Sequence, residues 1–520
     1  LSCHSNPTLS ITFQNGQSLS LFVDQAAFNR STHGSRGMRC AACHPNNQRY
    51  PHPHVTAMGP RELSRSIVRN TCFGCHEQVF RQFKESVHGK ALVEEGNLDV
   101  PGCPDCHGVH NIRNPHTNLF RMESPDTCSK CHADPTLAAR YGISPNVTQS
   151  YLKDFHGTSI RLTRDKSPDI ASYKPVCYDC HGIHDIKKVD DPSSRVVKQN
   201  LAATCRRCHP GADASFPAAW TSHYEPDRSR WPLVYWINTA YKILIPGIIG
   251  PMVLYILLDL FRTLVHRIRG GGARMSSMAH EPERQIVRFT LVQRIEHAVQ
   301  ILSFTALVVT GVSQKLNAHP AAEWIILHLG GIEVVRAVHR SFAVLLILEA
   351  IFHVSVIGWT VLARKQHDAL RAMAPTMKDV RDAAHMVLYF VGLRKERARF
   401  DRYDFRQKFE YLSLAWGTVV MVITGLIMWF PVQIARWTSG EMIPAAKAAH
   451  GGEGLLAFLA ILIWHMYSAH LSPEVFPIDT TIFTGKISER RMLREHPIEY
   501  ERILEQERAA ARSAPHPADT

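Results

Sequence analysis

The feature that most constrains this chain is a five-residue word written six times in its first 210 positions. It reads CAACH at Cys40, Cys43 and His44, CFGCH at Cys72, Cys75 and His76, and CPDCH at Cys103, Cys106 and His107. It returns as CSKCH at Cys128, Cys131 and His132, CYDCH at Cys177, Cys180 and His181, and CRRCH at Cys205, Cys208 and His209. Cys-x-x-Cys-His is the attachment signature of c-type haem: two thiols bind the porphyrin and the histidine ligates the iron. Zinc sites, redox dithiols and disulfides explain Cys-x-x-Cys, but none requires a histidine directly after it six times.

Twelve of the thirteen cysteines are absorbed in this way. The thirteenth, Cys3, stands in LSCH and is followed by His4, so we expect it to close a seventh motif whose first cysteine precedes Leu1. A lipidated cysteine is the rival reading, and it gives His4 no role. The expected complement is seven haem c groups, reached after export by a signal preceding Leu1.

A haem iron that only transfers electrons takes a second axial ligand, and spare histidines outside the motifs can supply it. The candidates are His33, His52 or His54, His88, His110, His156, His184 and His223, with His116 a bystander. Their placement repeats. STHG, SVHG and DFHG precede the motifs at Cys40, Cys103 and Cys177, and CPDCHGVHNI and CYDCHGIHDI place a trailing histidine three residues after the motif histidine. Three units (Cys3 to His54, Cys72 to His110, Cys128 to His184) and a closing half-unit with His223 follow from this pattern. Which spare histidine serves which iron stays open, because a ligand can come from a neighbouring unit. With no iron evidently left open, residues 1–230 read as a wire, with little regular secondary structure and porphyrins in place of much of the aliphatic core.

After Trp231 the composition changes. Five apolar stretches, about 231–264, 291–313, 336–362, 411–432 and 448–471, are each long enough to cross roughly 30 Å of hydrocarbon as a helix. They predict an all-α membrane bundle over 231–472, its first helix kinked by Pro246, Gly247, Gly250 and Pro251, followed by a charged tail, 473–520. The connection 265–290 holds Arg267, Arg269, Arg274, Arg284 and Arg288, and 364–409 holds twelve Lys or Arg, whereas 314–335 offers only Lys315 and 433–447 only Arg436 and Lys447. Basic loops stay cytoplasmic. The haem c domain is therefore expected on the periplasmic side of a bacterial inner membrane, with the tail inside. The net charge of +13 follows from this topology and from haem propionates, and nothing suggests nucleic acid.

Ionisable residues inside spans are functional by default. Here they include His297, His339, His353, His450 and His465. His339 and His353 are 14 residues apart, and His450 and His465 are 15 apart, about 21 Å along a helix and returning to roughly one face. Two such helices can hold two haem b groups stacked across the bilayer.

RFTLVQRIEHAVQILSFTALVVTG, GLIMWF and HGGEGLLAFLAILIWHMY resemble helices of the formate dehydrogenase gamma and nickel-iron hydrogenase cytochrome b family, over about residues 284 to 472. The resemblance implies that His297 and His465 hold the inner haem b, and His339 and His450 the outer one. The chain departs from the family pattern at Ala298, where Trp is common, and in a last-helix spacing of 15 rather than 14. His353 is the alternative partner of His465. Glu349, one turn before it, makes the two a candidate proton relay for quinol.

The fusion is similar to membrane quinone oxidoreductases that join a multihaem cytochrome c to this type of cytochrome b. It implies electrons drawn from the quinone pool, menaquinone being the expected type, and passed on to periplasmic or extracellular c-type cytochromes. Two alternatives follow: a membrane anchor subunit of a larger complex carrying electrons from a periplasmic dehydrogenase to quinone, or a terminal reductase with one open iron.

Overall fold

The computed structural model describes residues 3–167, 173–221, 223–271, 283–473 and 475–513. Leu1, Arg274 of the first basic connection and residues 514–520 of the tail lie outside them. The chain divides into two compact units, Leu1–Pro226 with Val432–Glu441, and Asp227–Pro431 with Met442–Thr520.

Among the described residues of the first unit, regular structure is limited to one hairpin, Ser10–Thr12 against Ser18–Ser20, and to short helices, of which Phe155–Lys166 is the longest at 12 residues. Local chemistry sets their ends. Asp24, Ser86 and Asp134 cap Gln25–Arg30, Val87–Val93 and Pro135–Tyr141, their side-chain oxygens accepting from free backbone N–H groups. Cys103–His107 and Cys177–His181 are single helical turns that place both cysteines and the histidine of a motif together. Each ends at a glycine with positive φ, Gly108 (+76°) and Gly182 (+92°). There the side chains of Asn111 and Asp185 fill the space a Cβ would need. Only a few aliphatic side chains are buried, among them Val68, Leu92, Met122, Ile160, Leu162 and Val176. The segment Val432–Glu441 belongs to this unit: Arg436 donates to the Gly211 carbonyl (3.0 and 3.2 Å), and Ser215 to that of Ala435.

Among the described residues, the second unit holds five helices long and apolar enough to cross a membrane: span 1, Pro232–Arg269; span 2, Leu291–Lys315; span 3, Ile332–Ala363; span 4, Phe405–Trp429; span 5, Met442–Leu471. The chain is an integral membrane protein, its spans keeping apolar side chains such as Leu257, Leu348, Ile351 and Ile423 exposed where lipid would lie. Helix limits differ from the apolar windows because caps, not hydropathy, set them. Span 4 starts six residues early, at the Asp404 cap, and stops before Pro431. Span 1 is α-helical through Pro246 and Pro251 as far as His266.

Span 2 packs along span 3 and span 4 along span 5, and span 1 lies against span 5. Two half-buried polar bonds tie span 1 there: the Tyr241 hydroxyl donates to Glu453 (2.9 Å) and the Tyr467 hydroxyl to Asp259 (2.8 Å). Tyr241 lies over Gly452, where any Cβ would fall about 2.4 Å from the ring.

The tail is folded. Lys486–Ser488 pairs antiparallel with Gln285–Val287, burying Ile286 and Ile487 with Met492. Arg288 (3 % exposed) and Glu499 (7 %) form a buried ion pair, and Arg402 donates to the same carboxylate at 2.7 Å. Asp479 takes two bonds from Arg491 (2.6 and 2.7 Å).

Candidate haem sites

All thirteen cysteines are free, and the short motif helices bring successive motifs together in chain order. His4 lies near His44, and Cys43 near Cys72 and Cys75. The thiols of Cys72 and Cys103 share a hydrogen bond, Cys106 lies beside Cys128 and Cys131, the thiols of Cys128 and Cys177 share another, and Cys180 lies beside Cys205 and Cys208. Burial, reinforced by these neighbours, pushes the Cys106 and Cys180 thiols up to about 11.

Every motif histidine faces one spare histidine. Ring centres are 6.1 Å apart for His4 and His52, 6.3 Å for His44 and His110, 6.0 Å for His76 and His33, and 6.2 Å for His107 and His184. They are 6.2 Å apart for His132 and His88, 6.1 Å for His181 and His223, and 6.3 Å for His209 and His156. Two imidazoles that ligate one metal from opposite faces at about 2 Å place their ring centres roughly 6 Å apart. The gaps therefore fit one iron each. Among the described residues His54 and His116 face no motif histidine; of the two candidates at 52 and 54, His52 is the one beside His4.

Ligation needs neutral imidazole. Burial, with the neighbouring imidazole, pulls His88 and His181 down to about 4, and burial lowers His33, His107 and His209 as well. His4 directs Nδ1 at the Leu21 carbonyl (2.8 Å), which leaves Nε2 for a metal.

In the bundle, His297 and His465 stand 6.3 Å apart at the end near the folded tail, and His339 and His450 6.2 Å apart at the far end. Both gaps again fit an iron. Partners that the sequence reading did not single out orient the rings. Thr310 Oγ1 donates to the Ala306 carbonyl (2.6 Å) and accepts from His339 Nδ1 (2.8 Å). Thr424 does the same with Val420 (2.6 Å) and His450 (2.9 Å). Gly311 and Gly425 follow these threonines and leave room for the rings: a Cβ would fall 3.1 and 3.5 Å from the Cε1 atoms of His339 and His450. His465 donates from Nδ1 to Glu410 (3.0 Å). The surplus residue between His450 and His465 is taken up by a π turn, Ile461–His465, which keeps His465 facing His297.

His353 faces no histidine among the described residues. Its Nδ1 lies 3.4 Å from Glu296 and its Nε2 3.0 Å from the Tyr411 hydroxyl. Glu349, half-buried, lies one turn before it on span 3. The signal for the missed partners was in the chain: VVTGV in span 2 and VITGL in span 4 are the same phrase.

Residues 288–476 match the prokaryotic cytochrome b561 family and residues 32–133 match cytochrome c3. The chain is similar to the cytochrome b556(Fdn) subunit of the nitrate-inducible formate dehydrogenase of Escherichia coli K12, 24 % identical over 223 residues, 42 % of this chain and 92 % of that subunit. It is also similar to the formate dehydrogenase cytochrome b556 subunit of Haemophilus influenzae, 25 % identical over 195 residues, 38 % of this chain and 75 % of that one.

Proposed function

We propose that this chain, in which a cytochrome c3-type region is joined to a membrane bundle of the prokaryotic cytochrome b561 type, is a quinol oxidoreductase. It draws electrons from the quinone pool, menaquinone by preference, and delivers them to periplasmic or extracellular c-type cytochromes. The observation that carries this reading is the set of nine histidine pairs at one spacing, two across the bundle and seven along a row of motifs. His297 with His465 and His339 with His450 would hold two haem b groups. The seven motif histidines, with His33, His52, His88, His110, His156, His184 and His223, would hold seven haem c groups. Bound haem supplies one-electron transfer, whereas a quinol gives up two electrons and two protons, so the chain's own residues must receive the protons. His353 and Glu349 lie at the end of the bundle that holds His297 and His465. By the excess of basic residues in 364–409 that end is cytoplasmic, in the bacterial inner membrane, and the haem c domain is periplasmic.

The test is stopped-flow reduction of the reconstituted holoprotein by a menaquinol analogue, following b-type and c-type bands separately. Reduction of b before c is expected. Glu349→Gln should slow it, and an unchanged rate in that variant would sink the relay. The similarity to formate dehydrogenase subunits supports a second reading, a membrane subunit that passes electrons from a periplasmic dehydrogenase to quinone. In that case quinol reduces neither band, and a periplasmic donor reduces c before b.

A further inference from the structure

Spans 2 to 5 of the membrane bundle form a doubled two-helix unit. Spans 2 and 4 carry the same signs at a constant interval: a capping box at Thr290 and Gln293 recurs at Asp404 and Gln407, Glu296 recurs as Glu410, and Thr310–Gly311 recurs as Thr424–Gly425. Spans 3 and 5 answer with His339 and His353 in one, His450 and His465 in the other. Contacts repeat as well as letters. The threonine holds the far-end histidine in both halves, and the glutamate faces Nδ1 of the near-end histidine in both, Glu296 with His353 and Glu410 with His465.

Under this two-fold relation the far-end pair, His339 and His450, maps onto itself. The near-end pair does not. His297 of one half faces His465 of the other, and the image of that pair is Tyr411 facing His353. The near-end ligand pattern breaks at one place: where span 2 has His297, span 4 has Tyr411. The phenol hydroxyl reaches to 3.0 Å from His353 Nε2, into the space an iron would need, with ring centres 5.9 Å apart. This image site therefore excludes haem and presents a hydroxyl donor beside an imidazole nitrogen. With Nδ1 directed at Glu296, His353 keeps Nε2 as an acceptor. The His353 side chain is 34 % exposed, so the site is accessible from outside the helix bundle's packed core.

We infer that Tyr411 and His353 clamp one ring oxygen of the quinone at the position where the bundle's symmetry calls for a second near-end haem. The inference rests on the quinol reading above and names the residues of its site. A ring oxygen taken between the two groups exchanges their mutual hydrogen bond for two to the ligand: Tyr411 donates to the oxygen, and His353 Nε2 accepts from the hydroxyl of the quinol form. Glu296 is a positioning residue that fixes the His353 tautomer.

The experiment is a binding titration of a short-chain naphthoquinone to the holoprotein in nanodiscs, with haem content and b-band spectra recorded alongside. Tyr411→Phe and, separately, His353→Gln are expected to raise Kd about tenfold with two haem b groups retained and the b bands unmoved. Wild-type Kd in both variants, or no binding to the wild type, overturns the clamp. The two readings fail separately. If naphthoquinone binding depends on Tyr411 but quinol does not reduce the b haems, the site stands and the direction of flow is wrong. If quinol reduces wild type and both variants with the same KM, the quinol reading stands and the clamp falls.

Discussion

Arg288 and Arg402 each donate to the other's backbone carbonyl, Arg402 to Arg288 at 3.0 Å, and share the carboxylate of Glu499 between them. They stand just before corresponding caps, Thr290 and Asp404, so the local two-fold of the bundle runs between them and a single tail residue closes it. Removing one partner of a buried ion pair costs about 3–5 kcal/mol because the other is left uncompensated. Glu499→Gln should therefore release the tail at lower temperature, seen as loss of hydrogen-exchange protection over 486–503 while the spans stay protected.

His44 faces His110, and His76 faces His33, so neighbouring repeats each place a spare histidine opposite a motif histidine of the other. The second and third units do the same through His107 with His184 and His132 with His88. His110→Ala should thus disturb the haem attached at Cys40 and Cys43, in the preceding repeat, and leave the one at Cys103 and Cys106 low-spin. Electron paramagnetic resonance of a chain carrying that substitution would show one new high-spin signal, and peptide-resolved exchange would place it. His52→Ala should act likewise on the motif at His4, and His54→Ala should change nothing.

Thr424 accepts from His450 while its own proton is committed to Val420, which fixes the ring's tautomer and, for a histidine holding the proposed haem b, would raise its basicity. Thr424→Val keeps the shape and removes the acceptor. We expect haem b affinity at that end to fall by roughly 10- to 100-fold. The far-end b potential, measured by redox titration, should shift while the near-end one stays in place.

Burial alone would raise the Asp479 carboxyl, but bonds from Arg491 and the Thr481 backbone outweigh it and hold the group at about 2. A depressed carboxyl stabilises the fold above its unfolded value of about 4, and that contribution, about 2 kcal/mol, is lost as pH falls from about 4 to about 2. Tail stability should drop through that window, and Asp479→Asn should flatten the slope there. Proteolysis of the tail as a function of pH reads it directly.

Much of this architecture is legible in the chain because its chemistry is local. Cys-x-x-Cys-His declares a site in five residues, and five long apolar stretches declare spans. Pairing is not local: His44 and His110 meet only because two repeats interleave, and nothing in either neighbourhood names the other. The partners Thr310, Thr424 and Glu410 escaped notice for a different reason. Threonine and glutamate are common, and their meaning lies in recurrence at one interval, among intervening residues that differ between spans 2 and 4. The folded tail was hidden because three-residue strands and short helices leave little periodicity to read.

The π turn at Ile461–His465 has a consequence for inheritance. An ordinary helix accepts an inserted residue only by swinging everything beyond it by about 100°, which would turn a ligand away from its iron. A widened turn swallows the insertion and leaves the downstream register alone. Descendants of such a bundle can therefore gain or shed a residue at this point without losing the near-end pair. A rule that expects one fixed spacing between the two histidines of the last span will pass over members that are otherwise intact.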